Sequence, residues 1–331
     1  MITDADAALH PPTTADWAET NFWSFQLPEV GMTGAVYALV RVQHGVALST
    51  VHLNSRWATT HWEAEYCDLQ MHLPVGEDFD LLDYRLPNGL RVRTVAPNAV
   101  WDVDYDDGAG TGVHFRFQAL MPPYDIHDPE MDPMVAAGAD GHDYAWGTAY
   151  AGHFDQSGVY EGEVVLPGRR IPFRSVGTMD HSWGPRPERH RTTLTWVNAH
   201  FSEDLVLHAL CDFDAATGGR ELRFTHGYVL EGGRRRGLAG GRGATRRRGW
   251  FPEEVTLELR DRDGREWSLR GEARTSFPWL MWPDVVGFNP LLAWEEAGGR
   301  RGHGEVYDVV GLHDLTAGGL GRLGSGVHTA P

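Results

Sequence analysis

One ten-residue segment, 177–186 (GTMDHSWGPR), groups several side chains that could do chemistry. It places a carboxylate, an imidazole, an indole and a guanidinium close together. If the segment is a β-strand, its side chains alternate between two faces, so Asp180 and Ser182 share one face. His181 and Trp183 then share the other face. Residue types leave two interpretations open: a strand end with an Asp–Arg pair and a buried tryptophan, or a carboxylic acid that an aromatic wall keeps protonated near neutral pH.

The tetrapeptide at 181–184 (HSWG) resembles the end of a nucleophile elbow, with Asp180 where the first glycine of that motif should stand. An elbow requires a helix directly after the serine. Pro185 and Pro187 follow at once and disfavour a helix. The sequence therefore predicts that Ser182 is a hydrogen-bonding residue of a turn rather than a nucleophile.

The sequence contains no compact metal or cofactor motif. Its 17 histidines show no His-Glu-x-x-His or similar ligand spacing. Residues 102–108 (DVDYDDG) alternate carboxylates like a calcium loop, but the glycine stands one place late and Val113 replaces the bidentate glutamate, so a hairpin turn is expected. The chain also has no lysine, which excludes a lysine Schiff base and a P-loop. We therefore predict no cofactor and no metal.

The composition argues against a nucleic-acid partner and against an integral membrane segment. The net charge is −17, with 46 acidic residues against 29 basic ones. The arginine clusters at 234–236 and 246–248 flank a glycine-rich stretch and are expected to form a solvated hairpin loop. No run approaches the roughly 18 apolar residues of a membrane span. Residues 1–14 lack a signal-peptide pattern, and Cys67 and Cys211 form no metal-type pair, so we expect a cytoplasmic protein.

The elements that must position the reactive segment are short strands. Helical periodicity is hard to find, whereas alternating runs rich in β-branched and aromatic residues recur along the chain. Asp263-Gly264 is a strong hairpin signal between two of these runs. The sequence predicts an all-β fold with one domain at 16–168 and a second at 169–325 that carries the reactive segment. The predicted strands are 36–42, 112–118, 192–198, 205–210, 255–260 and 266–270.

Four stretches resemble the calycin-like family that includes carotenoid 1,2-hydratase, the AttH-like proteins and related cyclases. Residues 19–25 (ETNFWSF) are similar to the opening strand of that family, and residues 153–156 (HFDQ) to its "H-Y-E-Q" strand. Residues 177–186 resemble the signature "G-x-R-D-H-S-W-G-x-R", and residues 302–307 (GHGEVY) a closing strand. The resemblance implies two consecutive lipocalin-like antiparallel β-barrels or half-barrels with a ligand cavity in or between them.

The resemblance also implies roles for individual residues. Asp180 would protonate an alkene, His181 would orient it or relay protons, and His153 would be a second proton-handling group. Trp183 would line the cavity and stabilise positive charge through its π-face. This chain departs from the family pattern at Thr178, which replaces a tyrosine of the hydratases, and in the strand at 153–156. The expected substrate-binding residues are Tyr150, Trp183, Trp196, Trp279, Trp282 and Glu305.

Two functions follow from these features. The first is a cofactor-free enzyme that hydrates, dehydrates, isomerises or cyclises a hydrophobic small molecule, such as a terpenoid, a carotenoid-like compound or a polyketide, with Asp180 as the general acid. The second is a non-catalytic carrier, because a β-barrel can hold one apolar ligand without transforming it. The residues lining the largest cavity distinguish the two functions, since only the enzyme needs an acid there.

Overall fold

The computed structural model of the chain describes residues 1–131, 151–186 and 193–316. Two antiparallel sheets account for most of these residues. The first sheet contains the strands β1 Trp17–Leu27, β2 Met32–Arg41, β3 Val46–Asn54, β4 Tyr66–Pro74, β5 Asp83–Arg85, β6 Leu90–Ala96, β7 Val100–Asp106, β8 Gly112–Ala119, β9 Tyr124–Asp125, β10 Gly152–Leu166 and β11 Arg169–Pro185.

The first sheet is an open half-barrel with the order β4-β3-β2-β1-β11-β10-β8-β7-β6-β5, and β9 pairs with β10. Most neighbours are consecutive along the chain because short turns join antiparallel strands. There are two exceptions: β8 pairs with β10, and β1 pairs with β11, which brings the start of the sheet beside its last strand. The reactive segment therefore lies at the centre of the sheet, held by β1 on one side and β10 on the other.

The second sheet closes on itself. Its order is β12-β13-β14-β15-β16-β17-β20-β21, and β12 also pairs with β21, which completes an eight-stranded barrel. The hairpin of β18 and β19 extends from β21. The strands are β12 Leu194–Ser202, β13 Leu205–Asp212, β14 Glu221–Glu231, β15 Arg234–Arg248, β16 Phe251–Asp261, β17 Glu266–Ala273, β18 Pro278–Trp282, β19 Val285–Phe288, β20 Leu291–Glu296 and β21 Arg301–Gly311.

In the ranges that the structure describes, helical structure is limited to single turns. Among the described residues, no helix is long and apolar enough to cross a membrane. The five 3₁₀ turns and one α-helical turn of the described ranges are Asp4–Ala7, Pro28–Val30, Val42–His44, His61–Glu63, Ala215–Thr217 and Leu312–Asp314.

The predicted fold class is confirmed: the chain is all-β and consists of two lipocalin-like units, a half-barrel and a closed barrel. All six predicted strands coincide with observed ones in the described ranges, with differences at their ends. Asp263-Gly264 forms the predicted hairpin turn between β16 and β17, where Gly264 has a φ of 84°. Positive φ is a conformation that glycine adopts readily, so the turn follows from local sequence.

Two sequence expectations differ from the structure. The predicted division at 168/169 falls on the hairpin turn that contains Gly168, between β10 and β11, so the reactive segment belongs to the first sheet. We propose a division after Pro185 instead. The predicted arginine-rich loop is strand β15, because its glycines fit against large residues of β16: a Cβ on Gly243 would lie 2.6 Å from the Leu257 side chain.

Buried side chains form three clusters. One fills the half-barrel and includes Trp23 and Phe117, and a second fills the closed barrel and includes Trp267 and Trp294. The third lies between the two sheets and combines residues of both, such as Phe22, Tyr37, Trp196, Trp279 and Tyr307. This interface layer surrounds the cavity described next.

Candidate functional site

A cavity lies in the interface layer, where the centre of the half-barrel faces one side of the closed barrel. Strands β1, β2, β10 and β11 form one wall, and strands β12, β13, β18 and β21 form the other. Most of its lining is apolar or aromatic, with a few polar groups grouped on the half-barrel side. The lining residues are Thr20, Phe22, Tyr37, His153, Asp180, Ser182, Leu194, Trp196, Leu210, Met281, Trp282, Tyr307 and Val309.

Asp180 faces this cavity from the middle of β11. Burial raises the pKa of its carboxyl group from 3.8 to about 7; His153 opposes the rise, Asp155 adds to it, and Arg186 opposes it. No described residue forms a hydrogen bond or an ion pair with the carboxyl group, and Arg186 instead donates a hydrogen bond to Ser182. Asp180 is thus a carboxylic acid that remains partly protonated at neutral pH.

His153 and Asp155 lie on β10, directly beside the acid. Asp155 is the cross-strand partner of Asp180, and His153 is the partner of Ser182. The Nε2 atom of His153 is 3.1 Å from an oxygen of Asp155. Burial lowers the pKa of His153, but the Asp155 carboxylate outweighs this effect and raises it overall. The raised pKa of His153 favours its protonated form, so an imidazole and a carboxylate lie next to the acid.

Asp155 is fully buried and held from both sheets. Burial alone would raise its pKa, but His208 and His153 outweigh burial and hold the pKa of Asp155 well below its ordinary value. The Nε2 atom of His208 lies 3.3 Å from Asp155, and the indole N–H of Trp196 donates to the other carboxylate oxygen at 2.8 Å. Trp196 therefore lines the cavity and fixes Asp155 at the same time.

The polar contacts continue deeper into the interface. Nδ1 of His208 is 2.9 Å from the side-chain oxygen of Asn198, and the Asn198 amide donates to Glu305 at 3.2 Å. Gln26 of β1 donates to the other oxygen of Glu305. Burial raises the pKa of Glu305 to about 8. A chain of buried polar groups thus joins the two sheets behind the cavity wall.

Aromatic rings form much of the cavity wall. Phe22 packs against Trp196 with ring centroids 5.6 Å apart and edge-on against Tyr307 at 5.2 Å. The indole N–H of Trp282 donates to the Tyr37 hydroxyl at 2.6 Å, which fixes both rings. Such π-faces stabilise positive charge by roughly 0.5–2 kcal/mol each where water is excluded.

The predicted site residues fall into several groups. Asp180, His153, Trp196 and Trp282 line the cavity. Trp279 stacks behind Phe22 with ring centroids 5.6 Å apart. Glu305 belongs to the buried polar chain described above, and Tyr150 lies outside the described residues.

His181 and Trp183 do not line this cavity. They occupy the opposite face of β11, as strand alternation requires, and Trp183 belongs to the core of the half-barrel. The ring of His181 donates through Nδ1 to the Thr20 carbonyl oxygen at 2.7 Å, and burial lowers its pKa to about 4. The structure therefore separates these two side chains from the acid next to them in sequence.

On that opposite face, His181, Glu19 and His10 bring potential metal ligand atoms within 4.8 Å of one another. Burial lowers the pKa of His10, but hydrogen bonds and charge from Glu19 and Asp6 outweigh burial and raise it. Nδ1 of His10 lies 3.3 Å from a carboxylate oxygen of Glu19, and the raised pKa favours the protonated imidazole and hence a His10–Glu19 ion pair over a metal ligand. This ion pair links His10 of the N-terminal segment to Glu19 of β1. The predicted absence of a metal remains a prediction.

Sequence reasoning missed the groups that surround the acid. Asp155 belongs to the strand at 153–156, where the chain departs from the family pattern, and no motif singles out His208 or Asn198. The only sequence pattern that marks His208 and Asn198 is the alternation of side chains along their strands. In the structure they are cross-strand partners on β13 and β12 and face the interface. The convergence of β10, β12 and β13 on one point cannot be read from spacing along the chain.

Comparisons with known proteins place the chain in a family and a fold. A family model described as "Domain of unknown function (DUF7064)" matches residues 3–307. No curated protein matches the chain by sequence.

Three solved structures share its architecture. An AttH-like protein from Nitrosomonas europaea is 11% identical, with a TM-score of 0.57 over 89% of this chain and 92% of that one. CghA is 13% identical, with a TM-score of 0.55 over 91% of this chain and 89% of its own. Kievitone hydratase from Nectria haematococca is 9% identical, with a TM-score of 0.51 over 90% and 89%. At these identities the similarity establishes the fold alone.

Proposed function

The chain belongs to the family described as a domain of unknown function, DUF7064, and we propose that it is an enzyme of the hydratase, dehydratase, isomerase or cyclase type acting on a hydrophobic small molecule. The observation that carries this proposal is the position of Asp180, which faces an aromatic, largely apolar cavity between the two sheets. Concave apolar sites with few converging polar groups are typical of small-molecule sites.

Asp180 is the proposed general acid. Its carboxyl group has no hydrogen-bond partner among the described residues, and burial brings its pKa to about 7, close to the working pH of most enzymes. Asp155, its cross-strand partner, is instead ionised because His208 and His153 neutralise it. Two carboxyl groups whose environments separate their pKa values indicate a division into an acid and a fixed charge.

The proposed reaction begins when the O–H bond of Asp180 breaks and its proton forms a C–H bond with the less substituted alkene carbon. The π electrons leave a tertiary carbocation, which Phe22, Trp196 and Trp282 stabilise through their rings. In hydration, a water oxygen bonds to the cation and the released proton returns to the Asp180 carboxylate. In isomerisation the cation loses a neighbouring proton to the Asp180 carboxylate. In cyclisation a second alkene attacks the cation to form a C–C bond, and the new cation then loses a proton to the Asp180 carboxylate.

The similarities support this proposal at the level of analogy. One structural neighbour is, by its name, a hydratase of kievitone. Residues 177–186 and 153–156 resemble the signatures of carotenoid 1,2-hydratase and its calycin-like relatives. A shared fold hosts many chemistries, so the reaction class rests on the acid and its cavity, with terpenoids, carotenoid-like compounds and polyketides as proposed substrates.

A carrier of apolar ligands is the second candidate, favoured by the apolar lining of the cavity. A carrier gains nothing from the Asp180 carboxyl group, which has no hydrogen-bond partner among the described residues, because desolvating a polar group costs free energy. We therefore favour the enzyme.

Deuterium transfer tests the proposal before the substrate is known. The protein would be incubated in D₂O, near pH 6, with a panel of trisubstituted terpenoid and polyketide alkenes. An acid that protonates an alkene reversibly leaves deuterium in the recovered alkene or in a hydrated product, and both raise the mass. We expect mass spectrometry to show this for the wild type and a loss of at least about 100-fold for Asp180→Asn, the usual contribution of a general acid.

Asp212→Asn is the matched control, because burial also raises the pKa of Asp212, which is not one of the residues that line the cavity. Its deuterium transfer should equal that of the wild type. Alkenes that bind the wild type but never gain mass would support the carrier instead. Equal transfer by Asp180→Asn and wild type would remove Asp180 from the chemistry.

A further inference from the structure

A pair of hydroxyl groups lies beside the acid and has no part in the proposed proton transfer. Thr20 of β1 and Ser182 of β11 are cross-strand partners, both buried, and both line the cavity. Their hydroxyl oxygens are 2.7 Å apart. The guanidinium group of Arg186, of which only 1% is exposed, donates to the Ser182 hydroxyl at 2.7 Å. The site thus contains a buried charge directed at a hydroxyl group on the cavity wall.

Counting hydrogens shows what this pair can offer. Arginine only donates, so the Ser182 oxygen must accept from Arg186. The two hydroxyl groups together carry two hydrogens, and the bond between them uses one, whichever of them donates. Neither hydroxyl has a further acceptor among the described residues. One O–H hydrogen therefore remains for an acceptor in the cavity.

The polar groups beside this O–H hydrogen can themselves act as hydrogen-bond donors. Asp180, two residues from Ser182 along β11 and on the same face, donates through its hydroxyl hydrogen when it is protonated, and the guanidinium of Arg186 donates to Ser182. His153 is already joined through Nε2 to Asp155. This corner of the cavity thus offers donors, while the rest of the wall is aromatic and aliphatic. A saturated or unsaturated hydrocarbon would leave the O–H unpaired, which a buried site disfavours.

We propose that the substrate is an apolar molecule with a carbonyl oxygen, which accepts the free hydrogen of the Thr20–Ser182 pair next to Asp180. The inference rests on the proposed function, because it places the reacting molecule in the same cavity. It narrows the substrate class to oxygenated terpenoids or polyketides, and it excludes pure hydrocarbons. The hydrogen bond orients the molecule and polarises its carbonyl group, and no covalent bond forms at either hydroxyl.

Camphor and bornane test this inference, because they share one skeleton and differ by a carbonyl in place of a methylene group. Calorimetric titration should show that the wild type binds camphor roughly two- to tenfold more tightly than bornane, as one neutral hydrogen bond provides. Thr20→Val is the matched control: Ser182 keeps its own hydrogen, so the preference should persist. The double variant Thr20→Val/Ser182→Ala has no hydroxyl and should bind both compounds equally.

Infrared spectroscopy of wild-type protein gives a second readout that needs no variant. The carbonyl stretching band of bound camphor should lie at lower wavenumber than in a hydrocarbon solvent. Equal affinities together with an unshifted band would overturn the carbonyl assignment and leave the proposed function standing. If neither compound binds, while alkenes still gain deuterium, the carbonyl assignment fails alone. If neither compound binds and no alkene gains deuterium, both proposals fail.

Discussion

At the scale of single residues, the site shows how environment assigns different roles to identical side chains. Asp155 and Asp180 are cross-strand partners on β10 and β11; Asp155 is fully buried, whereas Asp180 is half-buried where it faces the cavity. His208 and His153 hold the pKa of Asp155 well below its ordinary value, whereas burial raises the pKa of Asp180 to about 7 despite the opposing effects of His153 and Arg186. Burial acts on both in the same direction, so the position of the imidazoles decides which carboxyl group can donate a proton.

The pKa of Asp180 predicts the pH dependence of the reaction. Only the protonated form donates, so the rate of deuterium transfer should be nearly constant below about pH 6 and fall as pH rises through 7. Well above the pKa, the decline should approach tenfold per pH unit. A pH–rate profile with one alkene checks this. A rate that stays flat to pH 9 would mean that another group supplies the proton.

At the scale of elements, strand β11 serves both sheets because its two faces meet different surroundings. One face carries Asp180 and Ser182 into the cavity, and the other packs Trp183 into the half-barrel. The opposite wall depends on closure of the second barrel, where β21 pairs with β12. Gly304 permits this closure, since a Cβ there would lie 2.0 Å from the backbone oxygen of Asn198.

We therefore expect Gly304→Ala to lower the free energy of unfolding by about 1–3 kcal/mol or more, because backbone of β12 must move to relieve the clash. Gly240→Ala is the matched control in the same barrel, since a Cβ at Gly240 would meet no atom within 4 Å. Its effect should stay within roughly 0.5 kcal/mol. Urea denaturation of both variants measures the difference. Equal stabilities would show that the barrel closes without this tight approach.

At the scale of the whole molecule, the half-barrel and the barrel are joined by a layer that is both packed and hydrogen-bonded. Aromatic residues of both sheets pack around Phe22, and polar contacts cross the layer between Gln26 and Glu305 and between Ser157 and Tyr228. Neither sheet alone encloses the cavity, because each supplies one wall. Stability of the interface and integrity of the site are therefore linked.

Glu305 should make this interface sensitive to pH. Its pKa rises from an ordinary 4.5 to about 8 on folding because burial favours the neutral form. The stabilisation that this preference provides is complete below pH 4.5 and is lost as pH rises to 8, by an amount on the order of a few kcal/mol. In Glu305→Gln that part of the pH dependence should disappear. Thermal unfolding of both proteins at pH 5 and pH 8.5 measures it, and an unchanged difference would contradict the assignment.

The sequence by itself determined the local features of this protein. Period-two patterns predicted strands such as β8 and β13, Asp263-Gly264 predicted its hairpin, and residues 177–186 identified Asp180. Alternation along a strand also fixed that Asp180 and Ser182 face away from His181 and Trp183. These features depend on neighbouring residues and on backbone geometry, which are readable along the chain.

Only the tertiary structure decided which distant groups surround the acid. Asp155 and His208 are 53 positions apart in the printed sequence (208 − 155), yet they lie at ion-pair distance because β10 and β13 meet across the interface. The same packing placed Trp183 in the half-barrel core and the reactive segment in the first sheet. Burial and charge at one point depend on the packing of both sheets, so the sequence located the acid and the fold supplied its environment.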